Sequence, residues 1–101
     1  EMLMTGDSVS AEEAYRIGLV NRVVPKEHLM AESRGLAEKL ASKPPLALRM
    51  MKRSVYQGLT SGLRGHLDFV SSQLGLLTQT HDHQEAVRAF LEKRKPVFRG
   101  V

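Results

Sequence analysis

The chain has 101 residues, so a single domain with a thin core is the expectation. It holds no cysteine, which excludes a disulfide scaffold and a thiolate metal site, and its 42% hydrophobic and 26% charged residues argue against disorder. The net charge of +4 is uneven: residues 43–66 carry five basic side chains and no acid, and residues 86–101 carry five basic and one acidic, a pattern that suggests a localised anion site or, more plainly, a solvated surface.

Glu1-Met2-Leu3-Met4-Thr5-Gly6 lacks the basic start of a signal peptide and reads as a cut from something longer. Ser10-Ala11-Glu12-Glu13 has the spacing of a capping box, so a short helix is expected from Ala11 to about Ile17, stopped by Gly18 in the left-handed conformation. Leu19 to Val24 has the only alternating, β-branched character and predicts a short strand or extended link. Pro25 at a first helical position opens a helix from about Lys26 to Ala41, with Leu29, Met30, Leu36, Ala37, Leu40 and Ala41 on one stripe. Lys43-Pro44-Pro45 ends that helix and starts the next, in which Leu48, Met51, Val55 and Leu59 recur at helical steps while Arg49, Lys52 and Arg53 take another face. Gly58, Gly62 and Gly65 predict a break between Gly58 and Ser61, with Thr60 or Ser61 as the new cap.

Leu63, Leu67, Val70, Leu74 and Leu77 then form an a/d seam about two heptads long. It packs either within its own domain or against another subunit. After a polar break from Thr78 to Asp82, Asp82-His83-Gln84-Glu85 reads as a second cap. The last helix is expected to run to about Arg94 or Lys95, with Ala86, Val87, Phe90 and Leu91 on its apolar face, before Pro96 and an extended tail. The fold class is therefore mainly α: an irregular helical bundle with one short extended segment. No apolar run approaches the roughly 18–20 residues that cross a bilayer, so no membrane partner is expected.

The residues by themselves show no active site. Glu12 and Glu13 lie in a first helical turn, where acids complement the dipole. His81 and His83 lack third and fourth ligands at a recognisable spacing, so no metal is expected, and His28 and His66 are isolated. Ser71 and Ser72 sit in no nucleophile elbow, and no phosphate-binding glycine loop is present. Nucleic acid is not expected either: the basic blocks lack stacking aromatics, with only Tyr56 near the first.

The most distinctive stretch is Ala89-Phe90-Leu91-Glu92-Lys93-Arg94-Lys95-Pro96-Val97-Phe98-Arg99-Gly100. With Thr80-His81-Asp82-His83-Gln84-Glu85-Ala86 before it, it resembles the C-terminal signature of the enoyl-CoA hydratase/isomerase, or crotonase, family. Thr5-Gly6-Asp7, Ser10 to Ala14 and Ile17 to Val24 are similar to an earlier segment of that family, and Lys43-Pro44-Pro45-Leu46-Ala47 to a third. Ala86 stands where the family usually has glycine, which adds helix propensity.

The resemblance implies that residues 1–101 are a single C-terminal helical region of an enzyme acting on acyl-CoA thioesters, with hydration of a 2-enoyl-CoA as first choice. Isomerase, dehydratase and hydrolase relatives share this region. It implies further that the catalytic carboxylates and the oxyanion hole lie upstream, in a spiral core, so no catalytic residue is assigned here. The helices are expected to close over the active site and to build a homo-oligomer, a trimer or dimer of trimers. The terminal helix is expected to touch coenzyme A, often on a neighbouring subunit, through Phe90 and Lys93. In a helix these two stand three residues apart on one face, an apolar ring beside an ammonium. Arg94 points elsewhere and is expected to pair with an acid or a helix C-terminus. The CoA thioester is a substrate; no prosthetic group is implied, and the expected location is cytoplasmic. The alternative from the residues alone is a stand-alone helical interaction module.

Overall fold

A computed structural model describes residues 1–101 as helices and connecting segments with no strand. Contacts divide the chain into two compact units, residues 1–36 and 37–101. No helix is long and apolar enough to cross a membrane.

In the first unit, α1 (Met2–Thr5) is one turn closed by Gly6 at φ +73°. The next helix, α2 (Ala11–Arg16), starts where expected, because the Ser10 hydroxyl accepts the Glu13 N–H at 3.1 Å. Only that half of the capping box forms; the Glu13 carboxylate turns to Arg16. Ile17 is the C-cap and Gly18, at φ +77°, reverses the chain. The Gly18 N–H reaches Tyr15 O at 3.1 Å and the Leu19 N–H reaches Ala14 O at 2.8 Å, the two bonds of a Schellman motif.

Residues 19–24 are a link and not a strand. The amides of Leu19 and Val20 both return to Ala14 O, and no second strand supplies ladder partners, so the β-branched pattern has nothing to pair with. Pro25 caps a single 3-10 turn, Lys26–His28, instead of opening an α-helix. The α-helical bonding of α3 (Leu29–Ala41) begins three residues later than the sequence suggests.

In the second unit, α4 (Pro45–Gly58) packs against α5 (Leu63–Thr78), which packs against α6 (His81–Leu91). Pro45 holds the first helical position of α4, where its missing N–H costs nothing. The break after Gly58 forms as the glycines suggest, but the capping differs. Ser61 and Thr60 donate their hydroxyls back to Gln57 O and finish α4, while Gly62 is the N-cap of α5. Gly58 lets the His66 ring lie close to the backbone: a Cβ there would sit 3.2 Å from Cε1, and the ring would have to shift by a few tenths of an ångström.

The cap of α6 is also displaced. Thr80, not Asp82, accepts the His83 N–H at 3.1 Å, and its own hydroxyl donates to Leu77 O at 2.7 Å. The helix ends at Leu91, short of Arg94. Ala14 and Ala89 are the only buried apolar residues, and the buried charged ones are Asp82 and Glu85. The stripe of α3 and the seam of α5 lie largely open, with Leu63 74% exposed.

Candidate functional site

Side-chain hydrogen bonds concentrate at the end of α6 and the tail that folds back along it. Asp82 and Glu85 lie one helical turn apart, hence on one face of α6. The Asp82 carboxylate, 2% exposed in its residue, accepts the Arg99 N–H at 2.7 Å and the Gly100 N–H at 2.8 Å. The Asp82 N–H in turn donates to Val101 O at 3.1 Å. Glu85 accepts the Val97 N–H at 3.0 Å and receives both terminal nitrogens of Arg94, Nη2 to Oε2 at 2.9 Å. Arg94 Nε also reaches Glu92.

A bidentate guanidinium–carboxylate fork is both directional and charge-assisted. The Arg94 guanidinium foremost, with the Val97 N–H, holds the Glu85 carboxyl at about 2, well below its ordinary 4.5, and Arg94 is raised in return. The two acids that resemble a capping box are therefore tail anchors. Gly100, at φ +80°, completes the seat, since a Cβ there would stand 3.1 Å from Pro45 Cγ.

Between α6 and this tail the chain reverses at Glu92 and Lys93. Lys93, at φ +53°, is the sole residue other than glycine with positive φ. Its N–H donates to Phe90 O at 3.2 Å and the Arg94 N–H to Ala89 O at 3.0 Å, which repeats the Schellman pattern found at Gly18. The structure thus corrects the expected geometry of Phe90 and Lys93. They are not two positions on one helical face, because Lys93 lies beyond the helix; the lysine is joined to Phe90 through its backbone. The Phe90 side of α6 is open, with the residue 82% exposed. Arg94 pairs with acids, as its position suggested.

Other sequence candidates are not gathered into a site. Glu13 is engaged by Arg16, which keeps its carboxyl below the usual range. No group of three or more His, Asp or Glu side chains converges as a metal site; His81 Nδ1 stands 3.9 Å from Asp82 Oδ1. In the first basic block, Arg49 and Lys52 are exposed, and the Arg53 guanidinium sits 5.6 Å from the Phe69 ring centroid, a cation–π contact within the molecule. Between α4 and α5 lies an apolar groove of about 430 Å³, lined by Met50, Met51, Val55, Val70, Leu74 and Leu77, which joins the α4 stripe to the α5 seam. The tail-anchoring role of Asp82 and Glu85 was missed from the sequence; the available signal was Pro96, which forces the chain out of helix where two carboxylates one turn apart can receive its amides.

Comparison with known proteins adds a second line. The family model described as enoyl-CoA hydratase/isomerase matches residues 1–101. A crotonyl-CoA hydratase from Syntrophomonas wolfei subsp. wolfei is 39% identical over 98 residues, 97% of this chain and 38% of its own length. An (E)-benzylidenesuccinyl-CoA hydratase from Thauera aromatica is 40% identical over 101 residues, all of this chain and 40% of its own. Among solved structures, an enoyl-CoA hydratase subunit I from Geobacillus kaustophilus HTA426 superposes with a TM-score of 0.87 at 45% identity, covering 98% of this chain and 38% of that one. The chain thus spans about two-fifths of the length of the relatives it matches.

Proposed function

The chain belongs to the enoyl-CoA hydratase/isomerase family, and from that premise we propose that it is the C-terminal helical region of an enzyme acting on acyl-CoA thioesters. Its share of the work is to supply part of the coenzyme A surface, through Phe90 and Lys93, and contacts between subunits. Hydration of a 2-enoyl-CoA is the preferred reaction, in keeping with the hydratase names of relatives that match over the whole chain. On this reading the reacting carboxylates and oxyanion hole belong to a preceding spiral core; the two buried acids of residues 1–101, Asp82 and Glu85, are committed to the tail. No prosthetic group is invoked, and a cytoplasmic location suits a soluble thioester substrate. A stand-alone interaction module is not favoured, since the family match leaves no part of the chain over.

The observation that carries the CoA contact is Lys93 in the left-handed conformation. A residue with a Cβ is disfavoured there, and Gly18 shows that the same turn can be made by glycine. A lysine at such a position is accounted for by what its side chain does. An ammonium on a flexible stem suits a phosphate without demanding bidentate geometry, and the exposed Phe90 ring offers an apolar surface for an adenine or acyl group. In the full-length protein, Lys93→Ala is expected to weaken CoA-ester binding by about 1–2 kcal/mol, the worth of one charged hydrogen bond. Raised ionic strength should shrink the difference. A lowered melting temperature with an unchanged KM for the thioester would make Lys93 a mere last-turn cation.

The open seam of α5, continuous with the apolar groove on α4, supports the subunit contact. Light scattering is expected to show the chain self-associated at high micromolar concentration, and Leu67→Asp and Leu74→Asp to disperse it. A clean monomer, or variants as associated as the wild type, would count against that contact.

A further inference from the structure

The Schellman bonds at Lys93 are the same as those at Gly18, so they do not explain why a lysine stays at positive φ. The end of α6 has something that the end of α2 lacks, the buried carboxylate of Glu85. Glu85 lies nine residues before Arg94, on a regular turn of the helix, and its two oxygens receive the two terminal nitrogens of that arginine. The same carboxylate takes the Val97 N–H at 3.0 Å, and Arg94 Nε reaches back to Glu92. The residues on both sides of Lys93 are thus tied to one guanidinium, and that guanidinium to one carboxylate. A fork of this kind fixes direction as well as distance. If it opens, the reversal rests on two backbone bonds that a residue with a Cβ resists, and Lys93 returns to the ordinary φ range with its side chain re-aimed.

We infer that Glu85, acting through Arg94, is a positioning residue for Lys93: the fork holds the reversal at residues 92–94 in the form that offers the Lys93 ammonium to the phosphates of a CoA thioester. The inference rests on the reading of Lys93 as a CoA contact. It adds that the contact is pre-organised by a carboxylate that never touches the ligand.

Steady-state kinetics of the full-length protein with crotonyl-CoA test it as a double-mutant cycle. Glu85→Gln keeps the shape and an acceptor for Val97 but removes the ionic fork. It is expected to raise KM roughly fivefold to tenfold, on the scale of one charge-assisted hydrogen bond, with kcat within about twofold. The double variant Glu85→Gln/Lys93→Ala should be no worse than Lys93→Ala alone, because a positioning residue has nothing left to position. Arg94→Gln, at a half-exposed side chain, should reproduce both results. An unchanged KM in Glu85→Gln, or effects that simply add in the double variant, would overturn the inference while leaving the CoA contact in place. Loss of folding in both single fork variants would assign the fork to stability alone and overturn it too. An unchanged KM in Lys93→Ala would instead remove the CoA-contact reading, and the inference with it.

Discussion

The ends of α2 and α6 close with the same pair of backbone hydrogen bonds, yet one turns on Gly18 and the other on Lys93. At Gly18 the reversal is a matter of backbone alone: no atom lies within 4 Å of where a Cβ would be, and glycine is there for its φ of +77°. At Lys93 the reversal is held against the residue's own preference, by a fork from Glu85 and a tail pinned to Asp82. The difference separates two uses of one motif. The first ends a helix; the second ends a helix and, on the reading proposed above, also aims the side chain of Lys93.

Breaking the clasp itself should have the largest effect. Asp82→Ala takes the acceptor from the Arg99 and Gly100 amides and is expected to cost about 2–4 kcal/mol, at about 1–2 kcal/mol for each stranded group. A denaturant midpoint measures this, and hydrogen exchange at the two amides should accelerate with it. A loss below about 0.5 kcal/mol would mean that the tail is held by other contacts.

Acid should open the clasp through Glu85. Its carboxyl titrates at about 2 in the folded chain against an ordinary 4.5, so the folded form binds the proton less readily than the unfolded one. The resulting stabilisation is fully present above pH 4.5 and is lost as pH falls towards 2. Thermal melts across that window should show a steeper decline for the wild type than for Glu85→Gln. Parallel curves would contradict the assignment. The smallest effect belongs to the simple turn: Gly18→Lys, with no fork to hold it, is expected to lose about 1 kcal/mol and to affect nothing at the end of α6.

Much of the helical layout was legible because apolar period and punctuation agree. Ser10 caps α2, Gly18 stops it, Pro45 opens α4 and the glycines divide α4 from α5. The open and mistaken readings share a physical cause: each local pattern is compatible with two structures, and a partner elsewhere decides. Leu19 to Val24 was open between a short strand and an extended link, and it is the link, because it finds no neighbouring strand and its first amides go to Ala14 O. Asp82 and Glu85 have the spacing of a cap, yet the returning tail claims both carboxylates and leaves capping to Thr80. Lys93 was legible as a residue of interest through the family signature. Its left-handed conformation was not, because local propensity argues against it and the contacts around the reversal, the Schellman bonds and the Glu85–Arg94 fork, exist only in the folded chain. Periodicity alone would put the open Phe90 in a core, since an apolar residue at helical spacing reads that way; the family resemblance set it against a ligand instead.

The substitution Lys93→Gly in the full-length protein, with stability and thioester affinity measured on the same sample, bears most directly on the claim that Lys93 is kept for its side chain. Glycine relieves the left-handed strain, so stability is expected to rise by about 1 kcal/mol. The ammonium is lost, so KM for the CoA ester is expected to rise roughly fivefold to tenfold, on the scale of a charged hydrogen bond. The two quantities therefore move in opposite functional directions. A more stable protein with an unchanged KM would show that the lysine serves no ligand, and would contradict the claim.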